Sequence, residues 1–212
     1  MTARERVRNC RLYLVCDARP ESLLRAALRG GVDLLQLRDK KLDDDGLIAA
    51  AKAFRSAADA FGIPFILNDR PDLVQACEAD GVHVGQDDMS PAQARGLVGP
   101  DRIVGLSTHA PRELDAALED PDVDYFAAGP VHETPTKAGR PAAGLDYITY
   151  AASRSPRQPW FAIGGLDAAN VAEVIERGAR RIVVVRAVAD APDPEVAARE
   201  LRGLLEQPVA VA

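Results

Sequence analysis

Short apolar runs recur along the chain, each ending in polar or glycine residues and each followed by an amphipathic stretch. Residues 64–67 (PFIL) read as a buried strand that runs into Asn68-Asp69-Arg70, and Pro71 then opens a helical pattern over 71–78. The same layout holds before it. Residues 11–16 (RLYLVC) predict a strand and 20–28 a helix ending at Gly30-Gly31; residues 32–37 (VDLLQL) predict a strand followed by Arg38-Asp39-Lys40-Lys41. Asp43 caps a long Ala-rich helix reaching about Phe61, where Gly62 supplies the stop signal. Beyond it, residues 81–84 form a short strand before Gly85-Gln86-Asp87-Asp88, and Ser90-Pro91 starts a helix through Leu97. Residues 102–106 predict a strand tipped by Ser107-Thr108-His109, with a helix from Pro111. Residues 123–128 lead into the longest loop, 129–144, and a helix over 145–153. Residues 160–163 end in Gly164-Gly165, Asp167 caps the next helix, and Gly178 closes it. A last strand at 181–185 and a helix at 194–205 complete the pattern, with residues 207–212 read as a loose tail.

Strand and helix alternate eight times with short connections, which implies parallel strands and right-handed crossovers. The prediction is a single-domain α/β protein, a (β/α)8 TIM barrel over residues 1–212 with residues 1–9 as an N-terminal extension. The rival is an open doubly wound sheet. The barrel is preferred because every polar cluster follows a strand and precedes a helix, so closure gathers the clusters on one face.

Composition adds limits. The 212 residues are 47% hydrophobic but only 5% aromatic, so the core is expected to be mostly small and branched aliphatic residues. A net charge of -6 argues against a nucleic-acid or membrane partner and requires the counter-charge for any anionic ligand to be local. Cys10, Cys16 and Cys77 have no metal-ligand spacing and read as reduced thiols in or near the core. No window approaches the ~18 apolar residues of a spanning helix, and a cytoplasmic location is expected. A homo-oligomer is compatible with the sequence.

Three clusters carry candidate chemistry. Gln36, Arg38 and Lys40 alternate, so an extended chain aims two cations and an amide the same way, as a diphosphate would need. The plain alternative is a solvated strand exit pairing with Asp39 and Asp43 to Asp45. Asn68-Asp69 and Asp87-Asp88 end neighbouring strands; carboxylates converging there repel unless a cation such as Mg2+ lies between them. Otherwise Asp88 caps a helix and Asp69 pairs with Arg70. Thr134-Pro135-Thr136-Lys137 offers hydroxyls, backbone amides and an ammonium for an anion, or is a surface loop. Gly164-Gly165 and Val185-Arg186 follow the seventh and eighth strands, where barrels often bind phosphate. His83 reads as a satisfied interior residue. No histidine pairs with Ser or Cys at a recognisable spacing, so neither a triad nor a zinc site is expected.

Taken together, residues 36–40 (QLRDK), Asn68-Asp69-Arg70, 80–88 (DGVHVGQDD), 105–107 (GLS), 129–144 (GPVHETPTKAGRPAAG), 162–166 (AIGGL) and 183–188 make the chain resemble the thiamine-phosphate synthases over nearly its whole length. The resemblance implies a (β/α)8 barrel that joins 4-amino-5-hydroxymethyl-2-methylpyrimidine diphosphate to 4-methyl-5-(2-phosphooxyethyl)thiazole, releasing diphosphate with Mg2+ as cofactor. It implies that Gln36, Leu37, Arg38, Asp39, Lys40, Asn68, Ser107 and Lys137 hold the pyrimidine diphosphate, with Arg38, Ser107 and Lys137 acting in catalysis. Asp69 and Asp88 are implied as the Mg2+ ligands; Thr134, Pro135, Thr136, Gly165, Val185 and Arg186 are implied at the thiazole phosphate. Arg186 stands where many members carry a small serine. In the family the C–O bond to diphosphate breaks before the thiazole nitrogen attacks, so no protein nucleophile is needed. Two alternatives stay open at this point: a thiazole tautomerase of the same superfamily, which has no use for a diphosphate pocket, and a non-catalytic barrel that binds phosphorylated ligands.

Overall fold

Eight parallel strands close into a barrel in sequence order, β1 (Leu12–Cys16), β2 (Leu34–Leu37), β3 (Phe65–Asn68), β4 (Gly81–Val84), β5 (Ile103–Thr108), β6 (Tyr125–Ala128), β7 (Trp160–Ile163) and β8 (Ile182–Val184), with β8 paired back onto β1. The computed structural model describes residues 2–133 and 141–207. The crossovers are α2 (Glu21–Arg29), α3 (Asp44–Phe61), a 3-10 turn at Pro71–Leu73, α4 (Pro91–Val98), α5 (Pro111–Glu119), α6 (Gly144–Ser153) and α7 (Val171–Glu176), and α9 (Pro194–Glu206) ends the described chain. The open doubly wound alternative is thereby excluded.

The strands owe their places to period two. Leu12, Leu14, Leu35, Leu37, Phe65, Leu67, Val82 and Val104 face outward and bury against the helical ring. The alternate positions, among them Tyr13, Val15, Leu34, Ile66, Ile103, Tyr125, Phe161 and Val183, fill the barrel interior. There Tyr13, Tyr125 and Phe161 form a triangle of edge-to-face rings with centroids 5.4–5.9 Å apart. Each such pair contributes about 0.5–1.5 kcal/mol beyond area burial.

The strand N-termini are clamped by a repeated device. Asp33, Asp80 and Asp124 each stand immediately before an even-numbered strand and accept a backbone N–H from the preceding odd one: Leu12 at 2.9 Å, Phe65 at 2.8 Å and Val104 at 2.9 Å. Each carboxylate also meets an arginine, with Arg202 on Asp33 at 2.5 Å, Arg55 on Asp80 at 2.9 Å and Arg95 on Asp124 at 2.7 Å. This is the face of the barrel that serves stability rather than chemistry.

Several local readings are corrected. Residues 3–7, expected as part of an extension, form helix α1 (Ala3–Val7) under a capping box of Thr2 and Glu5, and Val7 is buried beneath the barrel interior. The helix expected over 71–78 is the 3-10 turn followed by irregular turns, and Glu78 takes a left-handed φ of 53° where the chain turns toward β4. Asp167 does not cap α7; it closes the turn before it, accepting from the N–H groups of Ala169 and Asn170 at 2.9 and 3.2 Å. One further turn of helix, α8 (Arg186–Ala189), starts directly at the end of β8. Cys10, Cys16 and Cys77 are free and buried, as expected.

Candidate active site

The inward-facing residues at the C-terminal ends of the strands surround a cavity of about 380 Å³. Gln36, Arg38, Asn68 and Ser107 come to it from β2, β3 and β5, and Gly165, Val185 and Arg186 approach from beyond β7 and β8. Seven of the residues implied by sequence thus share one chamber although they are spread from position 36 to 186. Tyr13, Val15, His83 and Ile163 complete its floor and sides. A second cleft of about 250 Å³ runs off it past Cys16, Asp17 and α8, and Arg38 and Arg186 line both. Arg19, in that cleft, is held by Asp17 at 2.6 Å and Asp190 at 2.7 Å. Among the described residues Arg38 and Arg186 form no ion pair, so two guanidinium groups present uncompensated charge to the chamber.

The remaining implied residues take other places. Leu37 is fully buried toward the helical ring, so only its backbone faces the strand end. Asp39 accepts from the N–H groups of Ala18 and Lys41 at 3.3 and 3.0 Å, tying the exits of β1 and β2 together. Thr134, Pro135, Thr136 and Lys137 lie outside the described residues, and so does the tail beyond Gln207.

The rim carries the carboxylates. Lys40 Nζ lies 3.2 Å from Asp69, while Arg70 turns away to Asp44 and Asp72, each at 2.6 Å. The simple Asp69–Arg70 pair is therefore not formed. Asp69 stands in the left-handed region at φ 60°, its N–H donating 2.9 Å to the carbonyl of His83 on the next strand. Asp88 is not a helix cap, since Ser90 caps α4; it accepts from the Gly85 N–H at 2.8 Å. Asp69 and Asp88 sit against each other. Burial first, and the Asp88 charge second, push the Asp69 carboxyl above its ordinary range against the opposing pull of Lys40. Two carboxylates crowded in this way fit a hard divalent cation that takes its other ligands from water and phosphate oxygens. Among the described residues no group of three or more His, Cys, Asp or Glu side chains is arranged around one point, so protein ligands alone would leave the shell incomplete.

The sequence reading missed a Ser–His contact: His83 Nε2 lies 2.9 Å from Ser107 Oγ. No local spacing announces it, because it depends on the register of two strands, in which His83 stands opposite Gly105. His109, beside the chamber, binds the Gly129 carbonyl through Nδ1 at 2.5 Å and ties the loops after β5 and β6 together. Gly164, at φ 116°, has no room for a side chain: a Cβ there would lie 2.5 Å from the Pro130 Cα. The glycine pair thus allows the backbone after β7 to pack against the loop after β6 at the chamber wall.

Residues 12–188 match the family model described as thiamine monophosphate synthase. The chain is 52% identical over 199 residues to the thiamine-phosphate synthase of Thermus thermophilus, covering 91% of this chain and 95% of that one. It is 48% identical over 202 residues to that of Acidothermus cellulolyticus, covering 93% and 95%. Among solved structures, a thiamine phosphate pyrophosphorylase from Pyrococcus furiosus superposes with a TM-score of 0.85 at 31% identity, covering 94% of this chain and 98% of that one. An orotidine 5'-phosphate decarboxylase from Pyrococcus horikoshii shares the fold at 15% identity and a TM-score of 0.65.

Proposed function

As a member of the thiamine monophosphate synthase family the chain acts as a thiamine-phosphate synthase, a transferase of thiamine biosynthesis, and from that premise we infer how its residues divide the two substrates. The reaction joins 4-amino-5-hydroxymethyl-2-methylpyrimidine diphosphate to 4-methyl-5-(2-phosphooxyethyl)thiazole and releases diphosphate. Gln36, Arg38, Lys40, Asn68 and Ser107 hold the pyrimidine diphosphate, joined by Lys137 and by the backbone of Leu37 and Asp39. Gly165, Val185 and Arg186 hold the thiazole phosphate with Thr134, Pro135 and Thr136. The observation that carries this reading is the single chamber in which an amide, a hydroxyl and two guanidinium groups, neither in an ion pair among the described residues, converge from both sides of the barrel mouth.

Asp69 and Asp88 would hold Mg2+ at the rim, where the ion supplies charge neutralisation for the leaving diphosphate. The residues of the chain do the rest. Arg38 and Lys40 bind the departing oxygens, and Arg38 adds bidentate orientation. The apolar floor of Val15, Ile163 and the aromatic triangle keeps water from the reacting carbon. Holding both substrates in one chamber replaces a bimolecular encounter with a positioned one, and no protein nucleophile takes part. The buried unpaired thiols fit a cytoplasmic setting.

Release of diphosphate from the pyrimidine substrate, followed with and without the thiazole phosphate, tests the reading. Release that needs both the second substrate and Mg2+ is expected. Isomerisation of a thiazole without diphosphate, or binding without turnover, would sink it.

A further inference from the structure

Beneath the chamber an unbroken line of hydrogen bonds crosses the barrel. The Gln36 Nε2 amide donates to the Tyr13 hydroxyl; the Tyr13 and Tyr125 hydroxyls lie 2.8 Å apart; the Tyr125 hydroxyl lies 3.0 Å from His83 Nδ1; and His83 Nε2 lies 2.9 Å from Ser107 Oγ. All five side chains are buried. Among the described residues the buried polar side chains, tyrosines aside, are Gln36, His83, Ser107 and Thr108, so three of the four belong to this line. A buried polar network is tolerated only when its members find partners, and none of these five side chains leaves a buried nitrogen or oxygen without one.

Valence sets its direction. With the Gln36 amide placed Nε2 toward Tyr13, the Tyr13 oxygen accepts from it and its own proton has Tyr125 as its partner. Tyr125, accepting from Tyr13, donates onward to His83 Nδ1. A nitrogen that accepts carries no proton, so the imidazole holds its proton on Nε2 and gives it to Ser107 Oγ. The Ser107 hydroxyl, having accepted, has its proton left for the chamber it lines. An independent feature shows that the central hydroxyl is built in. Gly105 lies beneath the Tyr125 ring, and a Cβ there would come within 2.2 Å of Cζ and 2.5 Å of the hydroxyl oxygen.

We propose that Tyr13, Tyr125 and His83 are positioning residues that fix Ser107 as a hydrogen-bond donor toward the pyrimidine diphosphate. The proposal rests on the synthase reading. A freely rotating hydroxyl can spend its proton on the imidazole; one that accepts from His83 Nε2 keeps its proton for the chamber, with one lone pair still open. Donors fixed before the reaction cost no reorganisation when charge builds on the leaving group.

The ordering is read directly from the nitrogen chemical shifts of His83 in the full chain labelled with 15N-histidine, without substrate. Protonation on Nε2 with Nδ1 bare is expected; protonation on Nδ1 means the line runs the other way and overturns the proposal. Tyr125→Phe keeps the ring and removes the link. It should raise the KM for the pyrimidine diphosphate about tenfold and lower kcat, with the KM for the thiazole phosphate within about twofold. Combined with Ser107→Ala it should add little to the loss from Ser107→Ala alone. Effects of the two substitutions that multiply independently overturn the proposal while leaving the synthase reading intact. Should Tyr125→Phe not fold, Tyr13→Phe interrupts the same line one step earlier and carries the same expectations. Nε2 protonation in a protein that releases no diphosphate from the two substrates overturns the synthase reading and this one with it.

Discussion

Arg38 reaches the chamber from the end of β2 without a carboxylate partner among the described residues, so its charge is available to a ligand rather than spent on the fold. Arg38→Met keeps the length of the side chain and removes the charge. The expected result is a loss of about 10²–10³ in kcat/KM for the pyrimidine diphosphate with little change in melting temperature; a loss of stability instead would make Arg38 a structural residue. Asp69 presents the opposite balance. Its left-handed φ of 60° and its carboxyl crowded by Asp88 are both unfavourable for folding. Asp69→Gly relieves the backbone, and the half-exposed contact with Lys40 that it loses is worth little. Unfolding in urea should show the variant to be as stable as the parent or up to about 1 kcal/mol more so, while Mg2+-dependent diphosphate release is lost. Retained turnover at ordinary Mg2+ would move the metal away from Asp69. At this scale the strand-tip residues were legible because polar groups straight after an apolar run mark where a strand leaves the core, although Asp39 and Arg70 there serve the fold. The Ser107–His83 contact was not, since a side chain's partner across a sheet is set by register and no residue near either one signals it.

Among the elements, the strands were legible because each is a short apolar run bounded by turn residues, and closure followed from their even alternation with helices. The short pieces were not. Helix α1 is brief and polar, and it is held by what lies above it: Val7 enters the barrel floor, Arg4 pairs with Asp124 at 2.6 Å, and Arg6 approaches Asp80 at 3.5 Å. Its one local signal was the Thr2–Glu5 capping box. Helix α8 has four residues and no side-chain cap, so nothing but its position after β8 marks it. The aspartates before β2, β4 and β6 also escaped the reading, although their placement repeats. Asp124 shows what they do: its carboxylate, 7% exposed, serves Arg4, Arg95 and the Val104 N–H together. Asp124→Ala strips the Val104 N–H of its side-chain acceptor and leaves Arg4 with the Pro100 carbonyl and Arg95 with the carbonyls of Gly99, Arg102 and Asp122, and should cost about 1–3 kcal/mol in equilibrium unfolding. Because the residue sits at the face opposite the chamber, specific activity per folded molecule should stay near that of the parent. A variant equally stable to urea would show that the clamp contributes nothing to folding.

For the molecule as a whole, closing the barrel separates a stabilising face from a reactive one and dries the space between them, and that dryness has a consequence at alkaline pH. Burial, ahead of the Asp17 charge, pushes the Cys16 thiol up from 9.0 to about 12, and burial pushes Cys10 higher still. Tyr13 and Tyr125 are driven above their ordinary value in the same way. The folded form of each group is the neutral one, so its contribution is complete below the unfolded value and is lost as pH climbs toward the folded one. From pH 9 upward the unfolded chain releases thiol protons that the folded chain keeps. Stability should therefore fall by up to about 1.4 kcal/mol per pH unit for each buried thiol, and more steeply above pH 10 as the phenols join. Urea unfolding at pH 7.5, 9.0 and 10.5 measures this directly. Cys16→Ala removes one titrating group, so the variant, less stable at pH 7.5 because of the cavity it leaves, should lose stability more slowly with pH than the parent. Parallel slopes for the two proteins, or rapid alkylation of Cys16 in the native state at pH 8, would mean that water reaches the end of β1. In that case water enters along the cleft that Cys16 lines.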